Sequence, residues 1–304
     1  MDVSVIMNEL VQRKFPFDEA CRRYKEAGVD ALDYSICEDY AVPPEIFSKS
    51  RSEWTKFFSD RAKIIKDNGL YVYQTHATYP TNYLTYNLSD ANKKFLQDEE
   101  LEVFKKQIEA TSILGAKYIV IHPINHAVND KEKKENWQLN LDAFTKIEPY
   151  LRKFDVKLGI EDMFGYDALR RRLCPTGISS AQEMADLIDE LNSSLNSDRF
   201  VACLDTGHVF INALSPAEAI RTLGKRTELL HVQDNMTDGD HHLAPGIGRI
   251  DWVDFAKALK EVGYNKVISA EISTRVYNLS PDLVFDYVEY AVKALRRIID
   301  IVEA

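Results

Sequence analysis

Short apolar runs recur along the chain and alternate with longer stretches in which apolar residues return every three to four positions. The runs predict eight strands: Val3–Ile6, Ala31–Ile36, Tyr71–Thr75, Tyr118–Ile121, Lys157–Ile160, Phe200–Leu204, Leu229–Val232 and Val267–Ala270. Most are near-continuous in Val, Ile, Leu and Tyr, as expected of parallel strands covered on both faces. Between them the spacing predicts helices. Glu19–Glu26 stops at Gly28, Ser52–Asp67 at Gly69, Leu101–Leu114 at Gly115 and Phe255–Val262 at Gly263, each glycine standing just past the last periodic apolar residue. Ser180 and Ser215 each precede a Glu by three residues and predict capping boxes. The charged run at 131–135 reads as a solvated helix start, and a last helix is predicted over Pro281–Val302.

Eight strands alternating with helices, without a Pro/Gly/Ser-rich linker, predict an α/β chain folded as a (β/α)8 TIM barrel, one domain spanning residues 1–304. An open doubly wound sheet shares this alternation. The count of eight and the lack of GxGxxG after the first strand favour the barrel.

The polar residues gather at strand ends. All seven histidines (His76, His122, His126, His208, His231, His241 and His242) stand at the C-terminal end of a predicted strand or in the loop after it, as do Glu161, Asp205 and Glu271. In a (β/α)8 barrel these ends converge on the face where active sites are built. Strand alternation puts Gly159 with Glu161, Cys203 with Asp205, Leu229 with His231 and Ser269 with Glu271 on the lumen side. Ile160, Leu204, Val232, Ile268 and Ala270 then face the helices. A single acid closing a strand commonly caps the next helix, and a lone strand histidine is ordinarily a hydrogen-bonded core residue. Four such residues on four successive strands, all with lumen parity, point instead to a shared task. Carboxylates crowded in a narrow lumen are costly unless a cation offsets them. Glu161, Asp205, His231 and Glu271 therefore predict one divalent metal ion. Mn2+ is the expected ion, and Mg2+, Co2+ and Zn2+ also suit the donor set.

Composition narrows the class. With 304 residues, 45% hydrophobic and 28% charged, there is ample material for a core. No run approaches the roughly 20 apolar residues of a spanning helix, so no membrane is expected. The N-terminal residues do not read as a signal peptide, and the four cysteines lack CxxC spacing. Free thiols and a cytoplasmic location are expected. A net charge of −10 counts against a nucleic-acid partner, since phosphate binding draws on Lys and Arg.

Six motifs in order on successive strands carry a resemblance: YIVIHP (118–123), LGIED (158–162), CLDTGHVF (203–210), LLHVQDN (229–235), DHHLAPGIGRIDW (240–252) and SAEIS (269–273). They span roughly the last two thirds of the chain. The sequence resembles the xylose isomerase-like barrel superfamily, in particular its sugar (phosphate) isomerase/epimerase group, to which the endonuclease IV type is related. The resemblance implies that Glu161, Asp205, His231 and Glu271 are metal ligands and that Glu161 and Glu271 double as the acid–base pair. It implies substrate contacts for His208 and His242. His76, His122 and Asp240, with these two, match further ligands of the endonuclease branch, and sugar-acting members keep such residues as substrate contacts. Departures from the endonuclease pattern stand at Asp162-Met163-Phe164-Gly165, at Gly207 and at 232–235. The Pro245–Trp252 run looks like the sugar group.

The expected activity is that of a metal-dependent epimerase or isomerase acting on a small carbohydrate or polyol, through proton transfer and a metal-stabilised enediolate. Two alternatives stay open: a keto-inositol-type dehydratase, and a multinuclear phosphodiesterase, which would bind nearer three metals per chain. A purely binding barrel would require a broken ligand set. Arg275 is a candidate anion contact. Tyr79, Trp137, Phe164 and Tyr166 are candidate stacking residues in rim loops. The barrel face and last helix permit a homo-oligomer.

Overall fold

Eight parallel strands form a ring that follows the order of the chain. The computed structural model describes residues 1–7, 15–36, 45–77, 98–124, 129–167, 169–273, 280 and 283–304. The strands are β1 (Val3–Ile6), β2 (Ala31–Ser35), β3 (Tyr71–His76), β4 (Tyr118–Ile121), β5 (Lys157–Glu161), the short pair β6 (Gly165–Asp167) and β7 (Arg172–Cys174), then β8 (Phe200–Asp205), β9 (Thr227–His231) and β10 (Ile268–Ala270). Neighbours pair in parallel from β10 through β1 to β5, then β8 and β9. Two bonds around Val232 bring the ends together: Val232 N donates to Ser269 O (2.7 Å) and Glu271 N to Val232 O (3.1 Å). Closure leaves the eight-stranded ring without a free edge among the described residues. The helices are α1 (Phe17–Glu26), α2 (Arg51–Asp67), α3 (Asp98–Ile113), α4 (Asp130–Phe154), α5 (Ala181–Ser194), α6 (Thr206–Ile211), α7 (Pro216–Leu223), α8 (Trp252–Glu261) and α9 (Val284–Glu303). The fold is thus a (β/α)8 TIM barrel.

Local signals explain most of these boundaries. The chain leaves α1 at Gly28 (φ 89°) and α8 at Gly263 (φ 71°), left-handed turns that glycine adopts without strain. Ser180 accepts from Glu183 N (3.2 Å) while Glu183 accepts from Ser180 N (3.2 Å), the predicted box; Ser215 accepts from Glu218 N (3.3 Å). Each predicted strand is present: Val3–Ile6 and Tyr118–Ile121 keep their bounds, and the others have one or both ends moved by a residue or two. The antiparallel β6–β7 pair and α6 were not foreseen, because three- and six-residue elements leave no periodicity to read. Among the described residues, no helix is long and apolar enough to cross a membrane. Cys21, Cys174 and Cys203 are free thiols.

The core has two parts. Ile160, Leu204, Val232, Ile268 and Ala270 lie in the large cluster between sheet and helices. Inside the barrel, Val120, Val201, Cys203 and Leu229 pack with Tyr73 and Tyr118. Gly159 gives this plug its room, since a Cβ there would meet Leu229 Cδ1 at 2.3 Å. Apolar packing therefore floors the lumen, and polar residues lie above it at the C-terminal rim.

Two bulges set what faces that rim. Between β2 and β3, Leu32 pairs with Val72 but Asp33 with Gln74. Between β8 and β9, Ala202 pairs with Thr227 but Cys203 with Leu229, so that Asp205 stands opposite His231. A bulge re-aims the side chains beyond it. Both do so here beside the polar cluster.

Candidate metal centre

Four strand ends deliver four buried side chains to one point. Glu161 closes β5, Asp205 closes β8, His231 closes β9, and Glu271 follows β10. One ligand atom from each lies within 4.8 Å of those of the other three. His231 Nδ1 is 2.8 Å from Glu161 Oε1 and 3.1 Å from Glu271 Oε2. That Glu271 oxygen is buried and lacks a hydrogen bond despite the close approach. Asp205 serves two elements. One oxygen accepts from His208 N (2.8 Å) and caps α6, and the other accepts from Gln233 Nε2 (3.2 Å). Capping and pointing into the ring are compatible uses of one carboxylate.

Histidines form a second arc. His122 Nε2 lies 3.0 Å and His76 Nε2 3.3 Å from Glu161 Oε2, the oxygen turned away from His231. These three also bring ligand atoms within 4.8 Å of one another, as do His76, His231 and Glu271. His208 Nδ1 donates to Asp162 O (2.8 Å), and its Nε2 lies 3.7 Å from Asp240 Oδ2. His242 Nε2 meets the same Asp240 oxygen at 2.8 Å, and its backbone is left-handed at φ 49°. Strain of this kind on a non-glycine residue tends to cluster at working sites. The structure thus brings Glu161, Asp205, His231, Glu271, His76, His122, His208, Asp240 and His242 into one continuous cluster.

Other candidates fall elsewhere. His241 turns to Asn235 and Asp238. Phe164 does pack on the His208 ring, with centroids 5.0 Å apart. Tyr166 lies exposed on β6. Trp137 is not a rim-loop residue: it lies within α4 and donates to Glu190 on α5 (2.9 Å), because the charged helix start runs on through it. Tyr79, His126 and Arg275 lie outside the described residues.

Several buried polar residues to which the sequence assigns no role complete the cluster. Asp33 Oδ2 lies 2.9 Å from His231 Nε2 and accepts from Gln74 Nε2 (2.7 Å). Gln233 donates to Asp205 and to Asp240 Oδ1 (3.0 Å) while accepting from His242 N (3.0 Å). Gly207 leaves it space, since a Cβ there would come 2.3 Å from the Gln233 amide carbon. Asp162 accepts from Asp205 N (2.8 Å). The available signal was parity: Asp33 and Gln74 share the lumen side of their strands, but both stand before the strand end.

Electrostatics matches a site built for a cation. Against the cost of burial, His231 and His122 hold the Glu161 carboxyl well below its ordinary range. Against the same cost, His231 and His242 hold Glu271 down. Burial, opposed by His208 but reinforced by Glu271 and Glu161, pushes Asp205 well above the carboxylate range. Burial likewise lifts Asp162 to about 7. His208 is raised, against burial, by Asp205 and Asp240. His231 is raised against burial by Cys203, Glu271 and Glu161, and His242 is raised to about 10, mainly by Asp240. Among the histidines of the cluster, burial wins at His122, which is lowered. Imidazolium charge is what offsets the crowded acids. Three carboxylates, one of them bearing an orphaned buried oxygen, and one imidazole form a donor set that fits a divalent ion.

Comparison with known proteins agrees with this architecture. The family described as the xylose isomerase-like TIM barrel matches residues 21–301. A D-psicose 3-epimerase of Enterocloster bolteae is 27% identical over 162 residues, 53% of this chain and 48% of that protein. An inosose isomerase of Bacillus subtilis is 26% identical over 184 residues, 58% of this chain and 60% of that one. The matched stretches therefore span about half to three fifths of these relatives. A solved D-tagatose 3-epimerase-like protein superposes with TM-score 0.72 at 20% identity, covering 100% of this chain and 98% of its own.

Proposed function

The chain belongs to the xylose isomerase-like TIM-barrel family, and on that premise we propose that it is a divalent-metal-dependent epimerase or isomerase of a small sugar or keto-polyol. The observation that carries the reading is the ring of Glu161, Asp205, His231 and Glu271, four buried ligand atoms within 4.8 Å. The psicose epimerase and inosose isomerase among its relatives support the substrate class. Mn2+ is the ion we assign, because oxygen donors dominate the set. The chemistry such an ion supplies is Lewis-acid polarisation of a carbonyl and of the hydroxyl beside it.

The chain's own residues supply the proton transfers. Glu161 and Glu271 come from β5 and β10, so their carboxylates can address two faces of a substrate lying over the ring. One takes the proton from the carbon next to the carbonyl, and the other returns a proton from the opposite face. That inverts the carbon. Return at the former carbonyl carbon instead interconverts aldose and ketose. His208 and His242, linked through Asp240, and His76 and His122 are assigned to substrate hydroxyls.

The test is turnover of the chelator-stripped and Mn2+-restored protein on ketoses and keto-inositols in deuterated water. About one metal per chain, with deuterium entering the carbon beside the carbonyl, is expected. Glu161→Gln and Glu271→Gln should each remove turnover while leaving the melting temperature within a few degrees; turnover retained in both would overturn the acid–base assignment. One observation favours a second reading. The far oxygen of Glu161 faces His76 and His122, an arrangement open to further cations and phosphoester hydrolysis. Two or three Zn2+ per chain, without exchange on any sugar, would select it.

A further inference from the structure

His231 is gripped from behind. Its Nδ1 faces the acidic ring, 2.8 Å from Glu161 and 3.1 Å from Glu271, while its Nε2 faces Asp33 Oδ2 at 2.9 Å. Gln74 Nε2 approaches both, 2.7 Å from Asp33 Oδ2 and 2.9 Å from His231 Nε2. The only charge in this triangle besides the imidazole is the carboxylate of Asp33, so the imidazole and amide N–H groups both converge on it. The short distance between the two nitrogens follows from their sharing one acceptor. Asp33, Gln74 and His231 are all fully buried, so water does not compete for these bonds. The β2–β3 bulge brings Asp33 beside Gln74, and the β8–β9 bulge brings His231 to the rim opposite Asp205. Two irregularities in the barrel thus converge on one contact.

A buried carboxylate beneath three others adds repulsion that packing alone would not retain. Its position explains it. We infer that Asp33 is a positioning residue for the metal centre: by accepting the Nε2 proton of His231 it fixes the ring's orientation and leaves Nδ1 as the nitrogen given to the cation. Gln74 holds the Asp33 carboxylate in that pose. An outer carboxylate on a ligating imidazole also raises its donor strength, and losing such a partner commonly weakens metal binding about ten- to hundredfold.

This inference rests on the metal reading above, and its test separates the two. Mn2+ affinity is measured by competition with a chelator, without substrate, for the wild-type protein, Asp33→Asn and Gln74→Leu. Asp33→Asn is expected to weaken Mn2+ binding about tenfold or more, with the melting temperature of its metal-free form equal to or above that of the wild type. Gln74→Leu should weaken binding less. A purely structural role for Asp33 predicts the reverse, a lower melting temperature and unchanged affinity, and either result would overturn the inference. Should Asp33→Asn not fold, the nitrogen-15 spectrum of the zinc-loaded wild-type protein decides: His231 must be protonated at Nε2 and metal-bound at Nδ1, and the opposite pattern refutes it. If the wild type binds no metal, the proposed function fails first and this assignment with it. If wild type and Asp33→Asn bind equally, only the assignment of Asp33 fails.

Discussion

Asp205 joins the backbone to the ring through one carboxylate. Its first oxygen caps α6 through His208 N, and its second meets Gln233. That link passes on through Gln233 to Asp240 and the His242 backbone, so the ring and the candidate substrate contacts share one hydrogen-bonded frame. Substitution can separate the two uses. Asparagine caps a helix as well as aspartate does but brings no charge. Asp205→Asn should therefore leave the denaturant midpoint of the metal-free protein unchanged or raised, as it relieves the crowding by Glu271 and Glu161. Its Mn2+ affinity should fall by at least about tenfold, since even loss of an outer partner costs that much. Asp205→Ala should lose the affinity and, in addition, about 1 kcal/mol of stability with the cap. Equal Mn2+ binding by Asp205→Asn and the wild type would remove Asp205 from the ligand set.

At the scale of elements, one buried side chain gathers much of the segment after β9. Asp234 accepts from Asn235 N (2.9 Å), Gly246 N (2.8 Å), Ile250 N (3.1 Å) and Trp252 Nε1 (2.9 Å). These bonds tie the Pro245–Trp252 run to the end of β9, and Asp251 then caps α8 by accepting from Val253 N (3.1 Å) and Asp254 N (3.0 Å). Gly248 must lack a side chain there, because a Cβ would stand 2.2 Å from Asp234 Oδ1 and 2.6 Å from the Asn235 backbone. Asp234→Ala strands four donors, so a loss of about 2 to 4 kcal/mol is expected from the worth of charge-assisted bonds. Denaturant titration should show it, together with new proteolytic cleavage between 236 and 252; an unchanged midpoint would mean that the loop holds itself. The motif was visible in the sequence as a likeness, but its physical basis was not, since Asp234 and Gly248 meet only through the fold. The same distinction runs through the barrel. Strands buried on both faces write continuous apolar runs, so β1 to β5 and β8 to β10 could be read to within a residue or two. The strand-end acids and histidines could be read because barrel topology gathers strand ends. Asp33 and Gln74 could not, because they stand inside their strands and meet His231 across the lumen. The bulges that aim them depend on register between strands, which composition along one strand does not encode. Trp137 differs from its expected rim-loop position for a local reason: the helix that begins in the charged run continues through the tryptophan to Phe154.

For the molecule as a whole, the buried ionisable cluster makes stability a function of pH, and the proposed metal would make it a function of metal as well. In the metal-free protein His208 and His231 are raised well above 6.5 and His242 to about 10. The folded state thus keeps protons that the unfolded chain has released, so these groups stabilise fully below about 6.5 and lose that contribution as pH climbs toward 10. Asp162, raised from 3.8 to about 7 by burial, acts with the same sign at lower pH: its contribution declines as pH rises between those values. Glu161 and Glu271, held low, act oppositely and withdraw support on acidification. The metal-free protein should therefore be most stable in mildly acidic solution and melt progressively lower between pH 6.5 and 9.5. A divalent ion held in the ring, as proposed, would take over the work of the imidazolium charges, and its binding should strengthen with pH because it would displace their protons. Mn2+ at a hundredfold excess over its dissociation constant should add about 2.7 kcal/mol, roughly 4 °C in a chain of this size. That gain should grow from pH 6 to 9 and flatten the alkaline decline. Calorimetric scans across this range, with Mn2+ and with chelator, read both effects at once. Parallel curves offset by a constant would show that the ion binds away from these histidines, and coincident curves that it does not bind the folded chain.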